Sequence, residues 1–215
     1  MHAVLLRPAV AVLLATSVVA GGAALAAPAA APSCNLVEDA KDDTFALRYQ
    51  ETIHDLGGPG LYGPAEPALD IVSADVATDA KTITAVLRVN KLAKSASSAP
   101  GGLAFRVQFS APGEDDENMY LAASTTGSTD TFTAGTRAIT ANLSTKLADA
   151  TGVFDLAKNE IRISVPLATF AAQGVKAGVP LSFADLDQTS ARLTPTGTSS
   201  FADVALSDKT YKAGA

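Results

Sequence analysis

The feature that most constrains this chain is a period of two in its central segments. Over residues 82–89, Ile83, Ala85, Leu87 and Val89 alternate with Thr82, Thr84, Val86 and Arg88. Over residues 103–109, Leu103, Phe105, Val107 and Phe109 fall on one side, and Arg106 and Gln108 on the other. Ile161, Ile163 and Val165 alternate in the same way with Arg162 and Ser164. Successive side chains of a strand point to opposite faces, so this pattern gives one buried and one solvated face, as in antiparallel sheets. Only residues 167–173, with Gly174 just after them as a stop, suit a short helix.

Further strand-like segments lie at residues 69–76, 119–124, 130–133, 139–143, 179–183 and 204–206. Turn residues separate them: Thr78-Asp79-Ala80-Lys81, Ala99-Pro100-Gly101-Gly102, Thr125-Thr126-Gly127-Ser128 and Lys158-Asn159. Many short strands with little helix predict an all-β fold, an antiparallel two-sheet β-sandwich of immunoglobulin or jelly-roll type with one short helix. Because aromatic residues make up only 6% of the chain and Trp is absent, the expected core rests on Val, Ile, Leu and Ala.

Residues 1–26 read as a secretory signal peptide: Arg7 is the lone charge, an apolar run follows, and Ala24-Leu25-Ala26 suits cleavage. Gly21-Gly22 and the lack of a charged stop argue against a membrane span there, and no later segment is apolar enough for one. The expected location is therefore secreted or extracellular. Residues 27–67 form an arm rich in acids, Gly and Pro, and residues 68–215 the sandwich domain. A formal charge of −6 argues against nucleic acid, which needs a basic face to neutralise phosphates.

Removing the signal leaves one His (His54), one Met (Met119) and one Cys (Cys34). A zinc site normally draws on several His or Cys ligands, more than this inventory supplies; a haem could use only His54 with Met119, a pairing no spacing supports; and a Ser-His-Asp triad would have to use His54, in the arm, with no Gly-x-Ser-x-Gly elbow to present a serine. Gly58-Pro59-Gly60-Leu61-Tyr62-Gly63 spells G-x-G-x-x-G, but no strand precedes it, and Pro64 and Pro67 bar the helix a dinucleotide would need. No pair of acids is set opposite a cleft for glycoside hydrolysis. The chain is expected not to be an enzyme. Cys34 is open to intermolecular pairing or to a lipid anchor.

Calcium takes oxygen ligands alone, and Asp39, Asp43 and Asp70 are the candidate set, with turn capping as the alternative. Asp70 shares strand parity with Val72, Ala74 and Val76, the side that reads as buried. Glu114-Asp115-Asp116-Glu117 reads as a solvated hairpin tip. The candidate ligand-binding residues are Arg88, Arg106, Gln108 and Tyr120, on a polar sheet face that also carries Thr82 and Thr84. Their expected ligand is a glycan or cell-wall polymer; the same residues also fit a plain solvated face. The alternative partner is a secreted protein docking on an edge strand or sheet face.

Asp39 and Asp42-Asp43, then Gly58-Pro59-Gly60-Leu61-Tyr62, then Pro67-Ala68-Leu69-Asp70-Ile71 form an ordered series. It resembles the N-terminal part of DOMON-like and family-9-like carbohydrate-binding sandwiches, nearest to the C-terminal binding modules of secreted glucodextranase- and pullulanase-type enzymes. The resemblance is strongest over residues 38–90. The chain is also similar to small secreted proteins of high-GC Gram-positive bacteria that carry an early and a late Cys, of which the late one is missing here. The resemblance implies a sandwich and a non-catalytic binding role, with no particular ligand.

Overall fold

The computed structural model describes residues 36–42, 66–96, 101–113, 116–141, 143–183, 189–193, 200–205 and 209–212. Contacts divide the chain into Met1–Ala30, outside these residues, and Ala31–Ala215, which contains all of them. The signal segment, Cys34, Asp43, His54, residues 58–63 and Glu114-Asp115 lie outside the described residues.

The period-two segments form the expected strands. Residues 82–89 become β3 (Thr82–Val89), residues 103–109 become β4 (Leu103–Phe109), and Ile161–Val165 sit within β9 (Glu160–Pro166). Around them lie β1 (Val37–Glu38), β2 (Ile71–Thr78), β5 (Glu117–Thr125), β6 (Asp130–Ala138), β7 (Leu143–Asp149) and β8 (Thr151–Asp155). Strands β10 (Pro180–Ser182), β11 (Thr189–Leu193), β12 (Ser200–Ala205) and β13 (Thr210–Lys212) complete the set. One sheet has five strands in the order β1-β2-β3-β9-β8, the other six in the order β12-β11-β4-β5-β6-β7, and β10 and β13 form a separate ribbon. All pairings are antiparallel, and the fold is an all-β two-sheet sandwich.

Local chemistry sets the connections. Between β2 and β3, Asp79 Oδ1 accepts the backbone N–H groups of Lys81 and Thr82, each at 2.7 Å, which closes the turn. The expected helix is a 3₁₀ segment at Leu167–Gln173, ended by Gly174 at φ +76°, a conformation that suits glycine. Only Ala150 separates β7 from β8, so the chain passes there from the six-stranded to the five-stranded sheet.

Alternate residues fill the space between the sheets: Ile83, Ala85 and Leu87 of β3, and Ile161, Ile163 and Val165 of β9, belong to one core with Phe105, Val107 and Phe109 of β4. The core is mostly Val, Ile, Leu and Ala, as expected, but phenylalanines add to it. Phe105, Phe109, Phe170 and Phe183 are among the largest fully buried side chains. Phe109 meets Phe170 edge-on at 5.5 Å and Phe183 at 6.3 Å, while Phe105 reaches Phe154 across the sandwich at 6.1 Å. Few aromatics suffice because those present are concentrated inside, each contributing a large apolar area.

Three local differences from the sequence reading matter. Ile139 lies in a turn, its N–H donating to Asp116 O at 2.9 Å, and the strand expected at 139–143 instead begins at Leu143. Strand β8 was not expected. In β2, Ile71 pairs with Val89 and Ser73 with Arg88, leaving Val72 as an inserted residue. This bulge shifts the parity within the strand, so Ala74 and Val76 face the core as expected but Ile71 joins them in place of Val72.

Candidate functional site

The candidate ligand residues divide between the two outer faces of the sandwich. Arg88 lies on the five-stranded sheet. Its Nη1 meets Asp75 Oδ2 at 2.5 Å, and its Nε meets Glu160 Oε1 at 3.1 Å. Glu160 Oε2 in turn accepts Arg162 Nη2 at 2.7 Å. Asp75, Arg88, Glu160 and Arg162 thus form a chain of alternating charge across β2, β3 and β9. Burial, the largest single influence, lowers the proton affinity of Arg88, but hydrogen bonds to Asp75 and Glu160 outweigh it and raise the net value. Burial likewise pushes the Glu160 carboxyl up, and the hydrogen bonds from Arg162 and Arg88 hold it below the ordinary range.

Arg106, Gln108 and Tyr120 come together on the outer face of the six-stranded sheet, because they alternate with the core residues Phe105, Val107, Phe109, Met119 and Leu121. Tyr120 is directly opposite Gln108 on β4 and Gly135 on β6. Gly135 is needed there: a Cβ would come within 2.6 Å of the Tyr120 hydroxyl oxygen and 2.1 Å of Thr145 O. The Arg106 guanidinium stacks on Tyr120, its Cζ 4.3 Å from the ring centroid, and Nη1 donates to Ser144 Oγ at 3.2 Å. Arg137, opposite Ser144 in the ladder, directs Nη1 to Gln108 Oε1 at 3.5 Å. Burial first, then the neighbouring Arg137 charge, lowers the proton affinity of Arg106, with Tyr120 opposing them.

Tyr120 is only 5% exposed. The ring of this candidate ligand residue is therefore covered, and what this face presents is a guanidinium resting on it. Sequence reasoning missed Arg137, Ser144 and Gly135. The signal for Arg137 was its parity with Thr133 and Gly135 in one continuous strand, which was read only as far as Thr133.

The candidate calcium residues are partly assembled at the head of β2. Asp70 is 1% exposed, and its Oδ2 accepts Asp42 N–H at 2.9 Å and Asn90 Nδ2 at 2.8 Å. Asn90 Nδ2 also reaches Asp42 Oδ1 at 3.1 Å. Asp39 is tied to β2 through its N–H on Val72 O. The buried Oδ1 of Asp70 accepts no hydrogen bond. Asp42, at φ +66°, is the neighbour of Asp70 among the described residues, and Asp43 lies outside them. Among the described residues no group of three or more His, Cys, Asp or Glu is arranged to hold a metal ion. Among them, too, no helix is long and apolar enough to cross a membrane.

Compared with known proteins, the chain matches no family model, no curated protein and no solved structure.

Proposed function

We propose that this chain is a secreted, non-catalytic β-sandwich module that binds a glycan or cell-envelope polymer on the outer face of its six-stranded sheet. The observation that carries this reading is the Arg106–Tyr120 stack, flanked by the Ser144 hydroxyl and the Gln108 amide. Hydrogen-bonding groups held on a rigid sheet are prepositioned, so a ligand loses little free energy in ordering them. Screening the full chain against a polysaccharide array tests the reading. Binding that weakens when Tyr120→Ala removes the support of Arg106 is the expected result; an array with no positive glycan removes the proposal. Residues 1–26 acting as a signal predict that the exported protein begins at Ala27, which N-terminal sequencing of the supernatant form decides.

A second reading, a protein-interaction domain, draws on a different observation. Leu143 and Leu147 on β7, Val153 on β8 and Leu156 in the following turn are the exposed large hydrophobic residues among those described, with Leu143 63% exposed. β7 and β8 are the edge strands at one side of their sheets. Unpaired edges bearing apolar side chains favour docking of another chain. Leu143→Lys with Leu147→Lys should abolish capture of a specific envelope partner while leaving stability within about 0.5 kcal/mol.

Calcium at Asp70 is proposed on the strength of that one unpartnered buried oxygen, with the Asp42 carboxylate as the neighbouring oxygen ligand.

A further inference from the structure

Two carboxylates converge where the arm meets the sandwich. Asp42 belongs to the arm, Asp70 stands immediately before β2, and Asn90 immediately after β3. One nitrogen, Asn90 Nδ2, touches an oxygen of each acid, Asp42 Oδ1 at 3.1 Å and Asp70 Oδ2 at 2.8 Å. Neither acid forms an ion pair among the described residues. Asp70 is 1% exposed, and its Oδ1 accepts no hydrogen bond. A buried carboxylate beside a second one calls for a cation, whereas an amide donor bridges the two without bringing charge. The same corner fastens the arm. β1 supplies two ladder residues, Val37 opposite Ala74 and Glu38 opposite Ser73. Leu36 and Val37 are buried and anchor that end. Beyond them the arm is held by Asp39 N–H on Val72 O at 3.1 Å and by Asp42 N–H on Asp70 Oδ2 at 2.9 Å, the latter joining positions 28 residues apart. So short a ladder is marginal by itself, and repulsion between Asp42 and Asp70 works against its far end.

We infer that calcium held by Asp42, Asp70 and Asn90 acts as a clasp, so that docking of residues 39–42 on the head of β2 is coupled to calcium. This rests on the calcium reading and adds what the ion controls. Turning the Asn90 amide over puts Oδ1 where Nδ2 stands and converts the bridging donor into a third hard oxygen ligand. Calcium accepts carboxylate and amide oxygens and completes its shell with backbone carbonyls and water. Because one ligand comes from the arm and two from the sandwich, the ion binds the docked arm better than the released one. By linkage, docking and calcium affinity strengthen each other by the same factor. What the clasp protects is the edge of β2, which β1 pairs over Ser73 and Ala74 and which becomes an open edge when the arm leaves.

The test uses the full chain, titrated with calcium chloride by calorimetry, with amide hydrogen exchange read by NMR in EDTA and in saturating calcium. Calcium should slow exchange at the Asp39 and Asp42 amides at least tenfold. The Lys81 amide, in the turn at the other end of β2, should change less than twofold, because local opening there does not involve the ion. Asp42→Asn should weaken calcium at least tenfold. In EDTA it should also slow exchange at Asp39 at least threefold relative to the unsubstituted chain, because it removes the repulsion and offers Asp70 a donor. Asp149→Asn, which removes the same charge from an exposed site on β7, should leave calcium affinity within twofold. No heat and no shift of the melt on adding calcium chloride removes the calcium reading and this inference together. Calcium binding that leaves the Asp39 and Asp42 amides unchanged overturns the clasp alone. Faster exchange at Asp39 in Asp42→Asn without calcium makes the Asp42 carboxylate a plain structural tie and also overturns the clasp. Equal losses of affinity from Asp42→Asn and Asp149→Asn mean attraction by diffuse charge and overturn the site.

Discussion

Gly135→Ala tests how the outer face of the six-stranded sheet is built. A Cβ at this position would lie 2.1 Å from Thr145 O, 2.6 Å from the Tyr120 hydroxyl oxygen and 2.7 Å from Tyr120 Cζ. Comfortable contact begins at about 3.5 Å. Thr145 O belongs to the backbone of β7 and cannot rotate away. Tyr120 can yield only by lifting from β6 toward the guanidinium stacked on it, 4.3 Å from its ring centroid. Overpacking of this kind costs about 1–3 kcal/mol, and disturbing the cation–ring stack adds about 1 kcal/mol. The expected loss is about 2–4 kcal/mol. At about 2–4 °C per kcal/mol for a chain of this size, the melting temperature should fall by about 4–16 °C. Urea unfolding followed by near-ultraviolet tyrosine dichroism measures it, with the m-value unchanged. In a Tyr120→Ala background the same substitution should cost about 1 kcal/mol less, because one of the two clashing groups is gone. A loss under about 0.5 kcal/mol would refute the close approach of β6, β7 and Tyr120.

The other expectations test the core, the acid response and the metal. Phe109→Ala empties a fully buried site against Phe170 and Phe183 and should cost about 3–5 kcal/mol in denaturant unfolding; under about 1 kcal/mol contradicts the packing. The carboxyl of Glu160 is held below its ordinary range, so its stabilising contribution is complete above the unfolded value of about 4.3 and is lost as pH falls through the lower folded value. Glu160→Gln should therefore flatten the acid limb of stability below about pH 5, and an unchanged limb in pH-scanned unfolding counts against the Arg88–Glu160–Arg162 network. Calcium held by Asp70 predicts a gain of about 2.7 kcal/mol at a hundredfold excess over Kd, and identical melts in EDTA and millimolar calcium remove that proposal.

The sequence was legible where burial imposed a period. β3, β4 and β9 each bury one face, so their apolar residues alternate and their limits could be read closely. β7 gave no such signal because nearly all of it is exposed, and a strand without a buried face has no reason to alternate. β6 was read only to Thr133 because Ala134 and Gly135 lack the branched side chains that mark strands, although packing against Tyr120 is what demands a glycine there. The bulge at Val72 left no trace in composition, so the parity argument for Asp70 failed even though its burial was anticipated. Grouping Arg88 with Arg106 failed for a related reason: alternation tells inside from outside but not which of two sheets a strand joins.

That division of the arginines has an energetic consequence. Arg88 and Arg106 are both desolvated, yet the surroundings raise the proton affinity of one and lower that of the other. The difference is the counter-charge: Asp75 and Glu160 complete the site of Arg88, whereas Arg106 faces a ring, a hydroxyl and another cation. Arg88 is thus neutralised within the fold, whereas Arg106 has no acidic partner among the described residues. Removing each charge should therefore have unequal effects. Arg88→Gln takes the cation from Asp75, which is only 2% exposed, and should cost about 2–4 kcal/mol, somewhat less than a fully buried pair because Arg88 keeps some solvent. Arg106→Gln relieves repulsion as it removes a contact, and should change stability by no more than about 1 kcal/mol in either direction. Unfolding of the two variants side by side decides the matter. A larger loss from Arg106→Gln than from Arg88→Gln would mean that the ring stack of Arg106 is worth more to the fold than the Arg88 ion pairs, and the counter-charge argument would fail.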